Sequence, residues 1–169
     1  MSYQPPHIQI YKTQSVPSRY IPRQLTKKDR KKQITALRRS RRLYKKGKYY
    51  QRPIIPSFKT RKSRHLEHAR KLYGVPDMSI TPTLAKQTKC SIKTLRKIVN
   101  KGEGAYYSSG SRPSQTAQSW GYARLASALT GGNSSIVDYH LLKEGCAPNS
   151  LPLKMARKTC RKQGKTFCS

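Results

Sequence analysis

Positive charge in this 169-residue chain is concentrated in particular segments, and this limits what each segment can fold into. Residues 19–71 contain 21 Lys or Arg and two acids, whereas residues 102–153 contain three bases and three acids. Only 34% of the residues are hydrophobic, below the roughly 45–50% of an ordinary soluble domain. The near-neutral stretch is therefore the natural place for a core. The formal charge of +31 implies a polyanion or an acidic protein surface as partner.

Proline positions and the charge pattern divide the chain into four parts. Four prolines between residues 5 and 22 disfavour helix near the N-terminus, and helical spacing of apolar residues dominates afterwards. The fold class is mainly α, a small helical domain with a short helix-turn-helix-like pair. We expect an extended N-terminal arm at 1–24, a basic helical segment at 25–75, a compact helical module at 76–146 and a basic C-terminal tail at 147–169.

Two helices are predicted in the basic segment. Thr26 is a good cap for the first, and Asp29 occupies the reciprocal capping position near the positive helix end. Gly47 is a plausible stop. Ser63 begins the second helix, which Gly74 ends.

Clusters of bases on the first of these helices and on a later helix are the candidate polyanion contacts. Five tyrosines interleave with the bases, either to stack on nucleic-acid bases or a partner or to form the segment's own small core, which we favour. The candidate polyanion contacts are Arg38, Arg39, Arg41, Arg42, Lys45, Lys46, Lys93, Arg96 and Lys97. The tyrosines are Tyr20, Tyr44, Tyr49, Tyr50 and Tyr73.

Residues 81–101 have the pattern of a helix-turn-helix. Thr81 and Pro82 begin a short helix, and Ser91 caps a second one that is expected to stop at Gly102. In a DNA-binding protein the second helix would offer Lys93, Arg96 and Lys97 to the major groove. Two capped helices with a short turn are also common without a DNA role, so structural use or phosphate contact is the favoured interpretation.

The stretch from 101 to 146 contains the most residues with a recognisable structural role. Gly102 and Gly104 permit backbone that other residues resist, and Thr116 can cap a helix whose small residues allow close approach beside Trp120. Arg124 within this near-neutral module needs a carboxylate, and Asp138 is the candidate, the alternative being two exposed charges. The structural signature comprises Gly102, Gly104, Arg112, Pro113, Trp120, Arg124 and Asp138.

Catalytic and metal-binding patterns are missing from the sequence. There is no G-x-S-x-G elbow and no pair of carboxylates placed for acid–base chemistry. The four cysteines lie far apart without a C-x-x-C pair, so they are expected to be buried or free thiols in a reducing compartment rather than zinc ligands. We expect no enzymatic activity, no cofactor and no membrane span.

The residues also resemble a known family. The block KGEGAYYSSGSRPSQTAQSWGYARLASALTGG, with LTKKDRKKQ, LYKKGKYYQRP and KSRHLEHARKLYGV upstream, resembles a domain of unknown function found in large double-stranded DNA viruses of algae and their relatives. A looser version is similar to a module in tailed-phage sequences. The resemblance covers about residues 20–146 and implies a viral source and a place in the particle.

Composition and resemblance together favour a minor capsid protein located in the virion. Its module would dock to the major capsid protein and to other minor capsid proteins in a large assembly, and its basic arm and tail would bridge neighbours or face packaged DNA. The alternative is a DNA-binding protein that condenses the genome or reads it through residues 84–101. A ribosomal protein is a third interpretation, from composition alone.

Overall fold

The structure, a computed structural model, describes residues 16–168, and these form a mainly helical protein, as predicted. A short 3-10 helix at Ser18–Tyr20 precedes eight α-helices. The helices are α1 (Lys27–Tyr44), α2 (Arg64–Tyr73), α3 (Pro82–Thr88), α4 (Ile92–Ser108), α5 (Ala117–Leu129), α6 (Asn133–Val137), α7 (Tyr139–Gly145) and α8 (Leu151–Lys162).

Helices α4 and α5 form the centre of the fold, and they cross at two glycines. A Cβ atom added to Gly102 would lie 2.7 Å from the Cα of Gly121, and one added to Gly121 would lie 2.8 Å from the carbonyl oxygen of Val99. The prediction that the second helix stops at Gly102 is therefore wrong, because α4 runs on to Ser108. Gly102 allows the close approach of a neighbouring helix and does not end its own.

Five predicted helix caps are present, since each cap side chain accepts a hydrogen bond from a backbone N–H three residues later. The predicted reciprocal bond from Asp29 to Thr26 is absent. Instead, the Asp29 carboxylate accepts the backbone N–H of Ser57 at 3.0 Å, so it ties the connector between α1 and α2 to the start of α1. The caps are Thr26, Ser63, Thr81, Ser91 and Thr116.

The C-terminal segment belongs to the fold, and the prediction of a basic tail at 147–169 is wrong for the whole of α8. Leu153, Ala156 and Cys160 of this helix are buried in the same core cluster as residues of α2, α4 and α5. Their spacing of three and four puts them on one helix face. Of the bases between them, Lys154 and Lys158 are exposed, whereas Arg157 is partly buried and donates to the Tyr139 hydroxyl at 3.2 Å. The number of bases hid this amphipathic pattern.

Within residues 16–24, the described part of the expected N-terminal arm, Tyr20 packs on the helices. Tyr20 is buried, with its ring edge-on to Trp120 at 6.1 Å between centroids. A Cβ atom on Gly110 would lie 2.7 Å from Leu37 and 3.2 Å from Tyr20, so this glycine leaves room for both side chains. The prediction for residues 1–15 lies outside the described residues.

The four cysteines are buried, but the prediction that they are thiols is wrong, because they form two disulfides. Cys90 is disulfide-bonded to Cys146, and Cys160 to Cys168. Two backbone hydrogen bonds of 2.8 Å flank the first pair, between residues 91 and 145 and between residues 147 and 89. Because 56 residues separate Cys90 from Cys146, sequence spacing gave no sign of a bond that depends on α7 returning to the start of α4.

Candidate polyanion-binding surface

One face of α1 carries an exposed row of cations, called the basic stripe below. Its members are separated by three, seven, four and three residues, which places them on one helix face. The opposite face is buried and includes Ala36, Leu37 and Ser40. From the first cation to the last the stripe extends about 26 Å at 1.5 Å per residue. The basic stripe consists of Lys28, Lys31, Arg38 and Arg42 of α1 and of Lys45, which directly follows α1 in a helical conformation.

Polar contacts from the other side of α1 hold the helix against the end of α4. The hydroxyl of Ser40 donates to the carbonyl oxygen of Tyr107 at 3.2 Å. Arg41 donates to the carbonyl oxygen of Ser109 at 2.6 and 3.1 Å. Arg41, predicted as a polyanion contact, is thus engaged within the fold. The neighbouring candidates Arg38, Arg39, Arg42, Lys45 and Lys46 are exposed.

No acid lies on the stripe's own face of α1, and the acid next to it in sequence is Asp29, whose carboxylate interacts electrostatically with Lys28. Helix α1 contains nine Lys or Arg and a single acid, Asp29. The hydrogen bond from Ser57 holds the pKa of the Asp29 carboxyl below its usual value, and this carboxylate is directed to the connector. The ion pairs of Lys71, Lys97, Lys101 and Arg124 all lie outside α1. Most of the positive potential along the stripe is therefore not neutralised by ion pairs of the described residues.

The helix-turn-helix-like pair is present as α3 and α4, but its bases lie apart from the stripe. Lys93 and Arg96 are exposed, whereas Lys97 pairs with Glu144 at 2.9 Å. That pairing holds the pKa of the Glu144 carboxyl below its usual value. A carboxylate beside this helix face disfavours its entry into a DNA groove. The contacts with α1 lie about 15 Å further along α4.

A buried arginine that sequence reasoning missed joins α1, the connector and the loop after α4. The Arg52 guanidinium donates to the hydroxyl oxygens of Ser40 at 3.0 Å and Ser111 at 2.7 Å, and to the carbonyl oxygen of Tyr106 at 2.7 Å. It lies 3.6 Å from the centroid of the Tyr106 ring. Burial lowers its pKa. The motif YYQRP contained Arg52, but nothing in the sequence distinguished it from the exposed bases.

The five tyrosines divide between the core and the surface. Tyr20 and Tyr73 are buried, as expected for a core role. Tyr44 and Tyr49 gather with Tyr107 of α4 at the end of α1, and these three are called the tyrosine cluster below. Tyr50 lies under the Arg39 guanidinium at 4.6 Å. The stripe therefore ends beside aromatic side chains.

The predicted pair of Arg124 and Asp138 is present. Arg124 donates to both carboxylate oxygens, from Nε at 2.7 Å and from Nη2 at 2.8 Å. Lys101 adds a third contact at 2.9 Å to an Asp138 side chain that is fully buried. This cluster joins α4, α5 and the start of α7, so its role is to hold the module together.

The other signature residues are also placed around the module. Gly104 lies in α4 facing the Tyr44 hydroxyl, and a Cβ there would lie 3.5 Å from that oxygen. Neither it nor Gly102 has a positive φ angle, so the additional backbone freedom that glycine permits is not used at either position. Pro113 is buried, Trp120 is partly buried and Arg112 is exposed.

Within residues 16–168, no group of three or more His, Cys, Asp and Glu side chains is placed to hold a metal ion. In the same range, no helix has the length and apolar character needed to cross a membrane. What the described surface offers chemically is a row of fixed positive charge with aromatic rings at one end.

Comparison with known proteins places the chain in a family. A model described as a family of unknown function (DUF5824) matches residues 17–139. The chain belongs to this family. The DUF5824 match covers the basic stripe, Arg52 and the crossing of α4 and α5, and it stops before α8. No curated protein and no solved structure matches the chain.

Proposed function

We propose that the protein is a minor capsid protein of a large double-stranded DNA virus, without enzymatic activity. In this proposal the helical module positions α1, and the basic stripe docks on acidic surfaces of the major capsid protein and other minor capsid proteins in the virion. The observation that carries the proposal is the stripe, which extends about 26 Å and has no acid on its own face. The viral setting rests on the resemblance of the sequence motifs.

The energetics of α1 support a binding role for the stripe. Like charges three or four residues apart on a helix repel each other, and each such pair destabilises an isolated helix by a few tenths of a kcal/mol. The stripe side chains are exposed and contribute nothing to the core. A negatively charged partner that binds the stripe would relieve this repulsion, which explains why so many cations lie on one face of the helix.

Location in the particle tests the capsid proposal. Virus particles that contain the protein would be opened, treated with nuclease and separated into shell and released genome, and each fraction would be analysed by mass spectrometry. We expect the protein in the emptied shell. Recovery with the genome fraction alone would contradict the capsid role and favour the second candidate.

DNA binding is that second candidate, and the tyrosine cluster at the end of the stripe favours it. Cations would contact phosphates, and binding would weaken with salt in proportion to the counterions released. Because any chain with a formal charge of +31 binds DNA in dilute buffer, affinity alone decides nothing. The informative measurement is the salt dependence of binding for wild type and stripe variants. A slope unchanged by removal of stripe cations would rule out this surface.

A further inference from the structure

The tyrosine cluster presents an exposed aromatic ring in a fixed orientation. The rings of Tyr44 and Tyr107 are nearly parallel, with an angle of 8° and centroids 6.2 Å apart. Tyr49 meets both at steep angles, 65° to Tyr44 and 67° to Tyr107, with centroids 6.0 and 5.0 Å away. Tyr49 is nevertheless 72% exposed. Its ring thus contacts two neighbouring rings while much of its surface faces solvent.

The backbone on both sides of Tyr49 is anchored, so the ring is pre-positioned. Gly47, with a φ of 69°, reverses the chain after α1 in a conformation that favours glycine. The backbone N–H of Lys48 donates to the carbonyl oxygen of Leu43 at 3.0 Å. Three residues after Tyr49, Arg52 is fixed by its buried hydrogen bonds. Pre-positioning lowers the entropy lost when a ligand binds such a side chain.

Exposed cations lie close to Tyr49 in the sequence. Lys45, the last cation of the basic stripe, is followed by Lys46 and Lys48, and all three are exposed in the turn that leads to Tyr49. A cationic path beside an exposed aromatic ring is the arrangement with which proteins bind single-stranded nucleic acid, phosphates on the cations and bases on the rings. In a duplex the faces of the bases are already stacked on each other and are not available to a side chain.

We propose that the tyrosine cluster binds unpaired bases of single-stranded nucleic acid through the ring of Tyr49, while the basic stripe binds the phosphates of the same strand. This inference rests on the second candidate function, DNA binding, and specifies the form of nucleic acid that the surface prefers. Stacking discriminates by strandedness more than by sequence, because every base has a π-face.

Fluorescence anisotropy with labelled oligonucleotides tests the inference. The full chain and its Tyr49→Ala and Tyr49→Phe variants would be titrated against a single strand of about 12 nucleotides, within the usual site sizes, and against a duplex with the same number of phosphates. Ile54→Ala is the matched control, since Ile54 is 74% exposed in the same connector and carries no ring. Thermal unfolding would check that each variant folds.

For Tyr49→Ala we expect a loss of about tenfold in single-strand affinity, a less than twofold change for the duplex and an unchanged salt slope, because no charge is removed. Tyr49→Phe and Ile54→Ala should bind like wild type. An equal loss on both forms of DNA, or no loss on the single strand, would overturn the stacking proposal. The first result would indicate a general distortion of the turn, and the second would leave Tyr49 free to contact a protein partner.

A stripe variant separates failure of this inference from failure of DNA binding itself. If Arg38→Gln with Arg42→Gln weakens binding to both forms of DNA and lowers the salt slope, while Tyr49→Ala has no effect, only the stacking proposal is wrong. If the stripe variant leaves binding to both forms unchanged, the stripe is not the DNA-binding surface, and the second candidate function fails with the inference.

Discussion

Charged side chains are arranged differently at the crossing of α4 and α5 and along α1. At the crossing, the buried carboxylate of Asp138 is matched by Arg124 and Lys101, and glycines bring the helices together. In α1, one face is packed and the other holds cations with no acid among them. Paired buried charge holds helices of the fold together, whereas the ion pairs of the described residues leave the exposed cations of α1 available. Substitutions in the two regions should therefore affect different measurements.

Loss of the buried carboxylate should have the largest effect. Asp138→Ala leaves Arg124 without its partner and should lower the free energy of unfolding by about 3–5 kcal/mol, measured by urea denaturation. Glu144→Ala is the matched control, because Glu144 forms an exposed pair with Lys97 and its loss should leave stability almost unchanged. Equal effects of the two substitutions would mean that burial of the Asp138 pair has no special role.

The disulfides should stabilise the module according to the length of chain that each closes. Replacing Cys90 and Cys146 by serine opens a loop of 56 residues and should cost about 4 kcal/mol in the chain-entropy relation. The same change at Cys160 and Cys168, separated by 8 residues, should cost about 2.5 kcal/mol. Denaturation of both double variants checks the order. Alkylation of cysteines in the unreduced wild type would contradict the pairing.

The two glycines of the GEG motif in α4 should respond in opposite directions to alanine. At Gly102 the new methyl group meets the Cα of Gly121 at 2.7 Å, and such overpacking costs about 1–3 kcal/mol. At Gly104 the nearest atom is the Tyr44 hydroxyl at 3.5 Å, so the higher helix propensity of alanine should stabilise by up to about 1 kcal/mol. Melting temperatures should fall for Gly102→Ala and stay level or rise for Gly104→Ala. The reverse order would contradict the crossing.

Substitution of a buried arginine near α1 should lower the free energy of unfolding more than substitution of exposed arginines on α1. Arg52→Gln removes the donors to Ser40, Ser111 and Tyr106 and should cost about 1–3 kcal/mol. Arg38→Gln and Arg42→Gln, on the exposed face, should change stability by less than about 0.5 kcal/mol, the smallest effect expected. A large loss of stability from the exposed pair would mean that the stripe belongs to the fold.

Local signals in the sequence predicted much of this architecture. The caps at Thr26, Ser63 and Thr116 act within three residues, so they can be recognised without knowledge of the tertiary fold. The pair of Arg124 and Asp138 followed from the scarcity of charge in the module. Both kinds of inference depend on neighbours in the sequence or on composition, which are visible before folding.

What could not be predicted depends on distant segments meeting. A helix stop was expected at Gly102 because the prediction did not consider α5. The backbone of Gly121 in α5 occupies the space that a side chain at position 102 would fill. The apolar face of α8 is narrow and lies among bases, so its packing on the module depended on a surface that only the folded chain offers. The burial of Arg52 and the pairing of Cys90 with Cys146 likewise arise from long-range contacts.

The central claim is that the basic stripe, and not the net charge of the protein, binds polyanions. The most direct test is to remove the same number of charges from the α1 region and from α8. One variant replaces four cations in and beside the stripe by glutamine, and the other replaces four exposed cations of α8, so both have the same net charge. The salt slope of binding to the single strand and to the duplex should fall by up to about four for the α1 variant and stay near wild type for the α8 variant. Equal reductions would contradict the account, because net charge rather than the stripe would then govern binding. The substituted residues are Arg38, Arg42, Lys45 and Lys46 in the first variant, and Lys154, Lys158, Arg161 and Lys162 in the second.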